Sequence, residues 1–99
     1  LQRSIRHIEE NLFAPLSLES LAEAVKLSEA TLVRRFRAEL GITPIAFVRA
    51  RRLDESRRLL ETGRYNVGEV ALMVGYDDVS AFTQAFKRKF GRTPGRSRP

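Results

Sequence analysis

The sequence predicts an all-α fold of two helix-turn-helix subdomains joined by a central linking helix. Three observations predict it. Apolar residues recur at helical spacing almost throughout. Leu32, Phe36 and Leu40 fall at i, i+4 and i+8, as do Phe82, Phe86 and Phe90, so each triplet makes one inward apolar stripe. No period-2 run appears, so no sheet is expected. Finally, the chain repeats itself: FRAELGITP (Phe36–Pro44) returns as FKRKFGRTP (Phe86–Pro94), fifty positions on.

The elements follow in order from their stops and starts. A first helix covers about Gln2 to Asn11. Ser17 is placed to cap a helix from Leu18 to Val25, because its hydroxyl can accept an N–H of the first turn. Ser28 caps the next helix, which runs to about Leu40. Gly41 then suits the left-handed position past a helix end. Thr43 caps a third long helix, with Pro44 at its first position, where a missing N–H does no harm. That helix reaches about Glu61 and Gly63 ends it. Asn66 with Glu69 three later resembles a capping box. The helix it opens ends near Val74. Asp77 or Asp78 caps a helix from about Val79 to Phe90. Gly91, Thr93 and Pro94 then repeat the earlier punctuation. GITP and GRTP are thus first of all grammar: helix stop, cap, helix start.

Composition narrows the function. The 99 residues suit one compact domain or two very small units sharing a core. No apolar run approaches the roughly 20 residues of a membrane span, and no signal-peptide pattern opens the chain. Position 1 is Leu, which predicts a fragment of a longer protein. With no cysteine there is neither disulfide nor thiolate metal site, and a reducing, cytoplasmic setting is expected. Lys plus Arg outnumber Asp plus Glu by 18 to 12, a net +6 that favours a polyanionic partner. The charge is unevenly placed. From Val79 to Pro99 there is no acidic residue, but there are Lys87, Arg88, Lys89, Arg92, Arg96 and Arg98. Arg34, Arg35 and Arg37 form a second cluster, and Arg49, Arg51, Arg52, Arg57 and Arg58 a third, partly offset by Asp54 and Glu55.

The repeat extends beyond the Phe-to-Pro phrase. LAEAVKLSEATLVRRFRAELGITP (Leu21–Pro44) aligns with VALMVGYDDVSAFTQAFKRKFGRTP (Val70–Pro94). Before the turn the offset is 49, pairing Ala22 with Ala71 and Val25 with Val74. After it the offset is 50, pairing Phe36 with Phe86 and Gly41 with Gly91. The one-residue insertion falls in the turn, where insertions are tolerated. Each copy reads as a short helix, a tight turn and a longer basic helix, the pattern whose second helix enters a DNA major groove. Ala22 and Ala71 are small enough to let the paired helices approach. The domain division expected is 1–43 for the first subdomain, 44–62 for the linking helix and 63–99 for the second.

The second copy resembles the signature of AraC/XylS-type transcription regulators. The matching residues are Gly75, Tyr76, Ser80, Phe82, Phe86, Lys87, Gly91, Thr93 and Pro94. Leu32, Arg34, Phe36 and Gly41 resemble the weaker upstream half. Arg52, Leu53, Arg57, Leu59 and Leu60 fit the linking helix. The resemblance covers about Leu18 to Pro94. It implies the DNA-binding region of a transcription regulator at the bacterial nucleoid, RNA polymerase as a partner if the protein activates, and a sensor or dimerisation domain elsewhere in the full chain. Two positions depart from the family. Gln84 stands where an Arg is frequent, and GRSRP follows Thr-Pro where the family continues into a short helix.

With the stripes turned inward, the outward faces are defined. On the first recognition helix the base-reading candidates are Ala30, Val33 and Arg34, with Glu29 and Thr31 nearby. On the second they are Val79, Ser80, Ala81, Thr83 and Gln84. Arg34 can bind a guanine edge bidentately and Gln84 an adenine edge, while Val33, Ala81 or the Thr83 methyl can pack on a thymine methyl. Arg37, Lys87, Arg88 and Arg92 are expected to hold phosphates, giving affinity without sequence information. A linking helix of about 17 residues at 1.5 Å each spans roughly 25 Å. Successive major-groove faces lie about 34 Å apart, so one chain is expected to contact two short DNA segments about one turn apart.

Other functions find less support. The one histidine, His7, sits beside Glu9 and Glu10 with no partner set for catalysis, and no phosphate loop or metal spacing is present. No enzyme activity and no cofactor or metal is expected. A helical protein-interaction module without DNA binding is the alternative reading.

Overall fold

Local capping sets the helix ends. In the computed structural model, which describes residues 1–99, the elements are α1 (Gln2–Glu10), α2 (Leu18–Val25), α3 (Glu29–Leu40), α4 (Pro44–Glu61), α5 (Val67–Met73), α6 (Val79–Phe90) and a 3-10 turn (Pro94–Ser97). There is no strand. The Ser17 hydroxyl accepts from Ser20 N–H and the Ser20 hydroxyl accepts from Ser17 N–H, closing the α2 start from both sides. Ser28 caps α3 through Thr31 N–H, and Thr43 caps α4 through Ala46 N–H at 3.2 Å. Asn66 and Glu69 form the reciprocal box that opens α5. Of the two aspartates before α6, Asp78 is the cap, accepting from Ala81 N–H at 2.7 Å. Gly41 and Gly91 close α3 and α6 with φ of 74° and 79°, a region costly for any residue with a Cβ.

The chain divides into two compact units, Leu1–Ala50 and Arg51–Pro99, and the boundary lies within α4. Each unit closes its own core. In the first, Ile8, Leu21, Val25, Leu32, Phe36 and Val48 are buried together, and Phe36 meets Phe47 edge-on at 5.6 Å. In the second, Leu53, Leu60, Val70, Val74, Phe82 and Phe86 play that part. Phe36, Phe82 and Phe86 are each fully buried, and each contributes about 1.5–3 kcal/mol of transfer free energy. Ala22 and Ala71 are buried, α2 packs on α3 and α5 packs on α6.

Two details differ from the sequence expectation. Leu40 does not point inward; it is 41% exposed. A stripe at i, i+4, i+8 rotates about 40° per step, because four residues overshoot a 3.6-residue turn. By Leu40 the stripe has drifted off the core. Phe90, its counterpart, is half-buried, because the Arg57 guanidinium covers its ring at 5.2 Å and Phe86 packs at 4.6 Å. The second Thr-Pro also differs from the first. Thr93 makes no side-chain cap, and Pro94 starts only a single 3-10 turn.

Candidate DNA interface

The caps and stripes together decide what α3 and α6 show to solvent. On α3, Ala30, Arg34 and Arg37 are exposed and Val33 is half-exposed, one face opposite buried Leu32 and Phe36. The spacing 30, 33, 34, 37 follows i, i+3, i+4, i+7, so these side chains form a single row. Thr31 stands at the start of this row. Its hydroxyl accepts from the Ser28 hydroxyl at 2.9 Å and lies 3.5 Å from Arg34 Nη2. Arg34 has no carboxylate partner; its one side-chain hydrogen bond, to Thr31, is long at 3.5 Å and leaves most of the guanidinium's donors to a ligand.

On α6, Ser80, Gln84 and Lys87 are exposed and Thr83 is half-exposed, again in one row opposite Phe82 and Phe86. The Gln84 side chain makes no hydrogen bond within the protein, which leaves both its donor and its acceptor to a ligand. Ala81 is exposed at the first turn. Val79, 45% exposed, stands apart from the row. With Leu72, Tyr76, Asp77 and Asp78 it lines a cavity of about 400 Å³.

The basic side chains fall into two groups that the sequence did not separate. Arg37, Lys87, Arg88 and Arg92 are exposed and without carboxylate partners. Lys89 is engaged: its Nζ lies 3.4 Å from Asp54 of α4 and 5.8 Å from the Phe90 ring centre. On α4, Arg51 pairs with Asp54, Arg57 with Glu61 and Arg58 with Glu55. That cluster, conspicuous in the sequence, is largely balanced by its own helix. The offset by Asp54 and Glu55 was legible in the sequence, and Glu61 adds to it, each carboxylate lying three or four residues from its arginine.

Sequence reasoning also gave Arg52 no contact. Its guanidinium lies against the turn between α5 and α6: a Cβ placed on Gly75 would sit 3.2 Å from Arg52 Nη1. Burial draws this guanidinium below its ordinary pKa, and the neighbouring Tyr76 phenol acts in the opposite sense. The α5–α6 turn takes its shape from Gly75, at φ 94°, and from the Tyr76 N–H, which donates to Ala71 O at 2.9 Å. The corresponding turn of the first unit uses Lys26 at φ 57°.

The chain has known relatives. A family model described as a helix-turn-helix domain matches residues 21–99. The transcriptional regulator MtrA of Neisseria gonorrhoeae is 38% identical over 82 residues, 83% of this chain and 27% of that protein. A crystal structure of an AraC-type DNA-binding-domain regulator from Chromobacterium violaceum superposes with a TM-score of 0.95 at 28% identity, covering 99% of this chain and 88% of that one. The DNA-binding domain of the global transcriptional factor AdpA, solved with a target DNA, superposes with a TM-score of 0.86 at 32% identity, over 96% of this chain and 86% of that one. The chain spans 36% or less of the length of the curated relatives it matches.

Proposed function

The chain belongs to the AraC/XylS-type helix-turn-helix transcription regulators, and from that membership we propose that it reads a bipartite duplex DNA site with the outward rows of α3 and α6. Its function is sequence-specific binding of double-stranded DNA. The observation that carries the residue assignment is the pair of rows themselves. Each is solvent-facing, backed by a buried aromatic and headed by a capped helix start, and each contains a side chain with unspent hydrogen-bonding capacity.

The roles follow from chemistry. Arg34 offers two parallel N–H donors that match guanine O6 and N7; Gln84 offers the donor–acceptor pair that matches adenine N6 and N7. Ala30, Val33, Ser80, Ala81 and Thr83 flank them and supply methyl and hydroxyl contacts. Val79 enters the groove at its edge, beside the acidic rim of the cavity. Arg37, Lys87, Arg88 and Arg92 hold phosphates and set register. RNA polymerase is the partner if the regulator activates, and the full-length protein adds a sensor or dimerisation domain. The place of action is the nucleoid, and no catalytic role is assigned.

Selection of bound sequences from random duplex DNA tests this reading. The expected result is two short preferred segments. A selected pool with one segment only, or none, overturns the bipartite assignment.

A further inference from the structure

Two side chains of α4, Asp54 and Arg57, reach the end of α6, and a third, Arg52, lies beside the turn that leads into it. At its entry, the Arg52 guanidinium lies beneath the Gly75–Tyr76 turn, and the Tyr76 ring packs on Phe82 at 5.5 Å. At its exit, Asp54 meets Lys89 at 3.4 Å and Arg57 covers the Phe90 ring. The phenylalanines fix how closely α6 approaches its core, but apolar contacts are non-directional. Rotation of the helix about its own axis is restrained better by contacts that need particular partners. Arg52, Asp54 and Arg57 supply such contacts at both ends.

We propose that Arg52, with Asp54 and Arg57, are positioning residues for sequence reading by α6, fixing its rotation so that Thr83 and Gln84 meet their base pairs squarely. The inference rests on α6 being a DNA-reading helix. A bidentate amide–adenine contact is sensitive to angle as well as distance. Loosening α6 therefore weakens discrimination before it weakens general attraction to the duplex, which depends on charges that tolerate displacement. Gly75 belongs to the same device. A side chain there meets Arg52 as well as an unfavourable φ, whereas Lys26, at the matching place in the first unit, keeps its side chain.

The test uses the 99-residue chain and a duplex selected by it. Affinities are measured for that duplex and for versions altered in the α3-read or the α6-read segment. Parent discrimination at both segments is the control; its absence would overturn the DNA reading itself, a different failure. Arg52→Ala is expected to lower discrimination at the α6 segment roughly tenfold and to leave the α3 segment unchanged. Leu60→Val, in the buried core of the same unit, is the comparison for a merely structural role. It lowers the melting temperature without altering discrimination. If Arg52→Ala does not fold, the double variant Asp54→Asn/Arg57→Met replaces it, since both side chains are more than 40% exposed. The same selective loss at the α6 segment supports the proposal. Unchanged discrimination, or an equal loss at both segments, overturns it.

Discussion

Gln84 and Arg34 occupy matching rows but differ in what surrounds them. Arg34 has the Thr31 hydroxyl within 3.5 Å, itself bonded to Ser28; the Gln84 side chain has no hydrogen-bond partner within the protein. Both are read as base contacts because an exposed side chain with donors to spare, in the middle of such a row, has little structural work to do. Gln84→Ala and Arg34→Ala should each relax preference at one base pair by about 1–3 kcal/mol, measured as the ratio of affinities for matched and altered duplexes. Circular dichroism should show the helix content of both variants intact. A variant whose ratio of affinities equals the parent's would remove that residue from the reading face. Asp78 makes a different kind of contribution. It accepts from Ala81 N–H and so starts α6. Asp78→Ala should destabilise the chain by about 1 kcal/mol, read from thermal or urea unfolding, whereas Asp77→Ala should have little effect on stability.

At the scale of elements, the doubled Gly-x-Thr-Pro phrase separates into parts with different causes. Its glycines behave alike. Gly41 and Gly91 have nearly the same φ, and a Cβ at either would meet nothing within 4 Å. Any cost of substitution is therefore conformational. Gly41→Ala and Gly91→Ala should each lose about 1–2 kcal/mol, equal within error in denaturant unfolding. A marked inequality would mean that contacts, not backbone conformation, decide these positions. The threonines behave differently. Thr43 caps a helix of 18 residues, while Thr93 precedes one 3-10 turn and caps nothing. Gly95 lies inside that turn, where its backbone freedom disfavours a regular helix. The stripes also divide. Phe90 stays covered because Arg57 reaches its ring from α4; Leu40, drifting equally far, is exposed.

At the scale of the molecule, charge is distributed unequally. Arg51–Pro99 holds 11 of the 18 basic and 6 of the 12 acidic residues, a net of +5 against +1 for Leu1–Ala50. The four exposed phosphate candidates follow suit, three on the second unit and one on the first. If all four contact phosphates, log affinity should fall against log salt with a slope of about −3 to −4. Lys87→Ala should reduce that slope by roughly 1 and weaken all sequences about equally. A slope near zero would count against duplex DNA as the partner. A footprint on the selected duplex should show two protected segments; protection confined to one turn would contradict a two-helix reading.

The sequence by itself determined the helices, their caps and the doubled helix-turn-helix. Capping joins residues three or four apart, and both the apolar stripes and the family signature lie along short stretches. Ser17, Ser28, Thr43, Asn66 and Gly41 announce their roles for that reason. It also determined the outward rows, because burying Phe36 and Phe86 turns Arg34 and Gln84 to solvent. Tertiary structure alone took Lys89 out of the available basic residues. Lys89 looks identical to Lys87 in a run of like charges, yet Asp54, 35 positions away, pairs with it. Tertiary structure likewise placed Arg52 under Gly75 and covered Phe90 but not Leu40. Such contacts depend on how far a long side chain reaches from one helix to another. No local pattern encodes that distance, because it is set only when the core has closed.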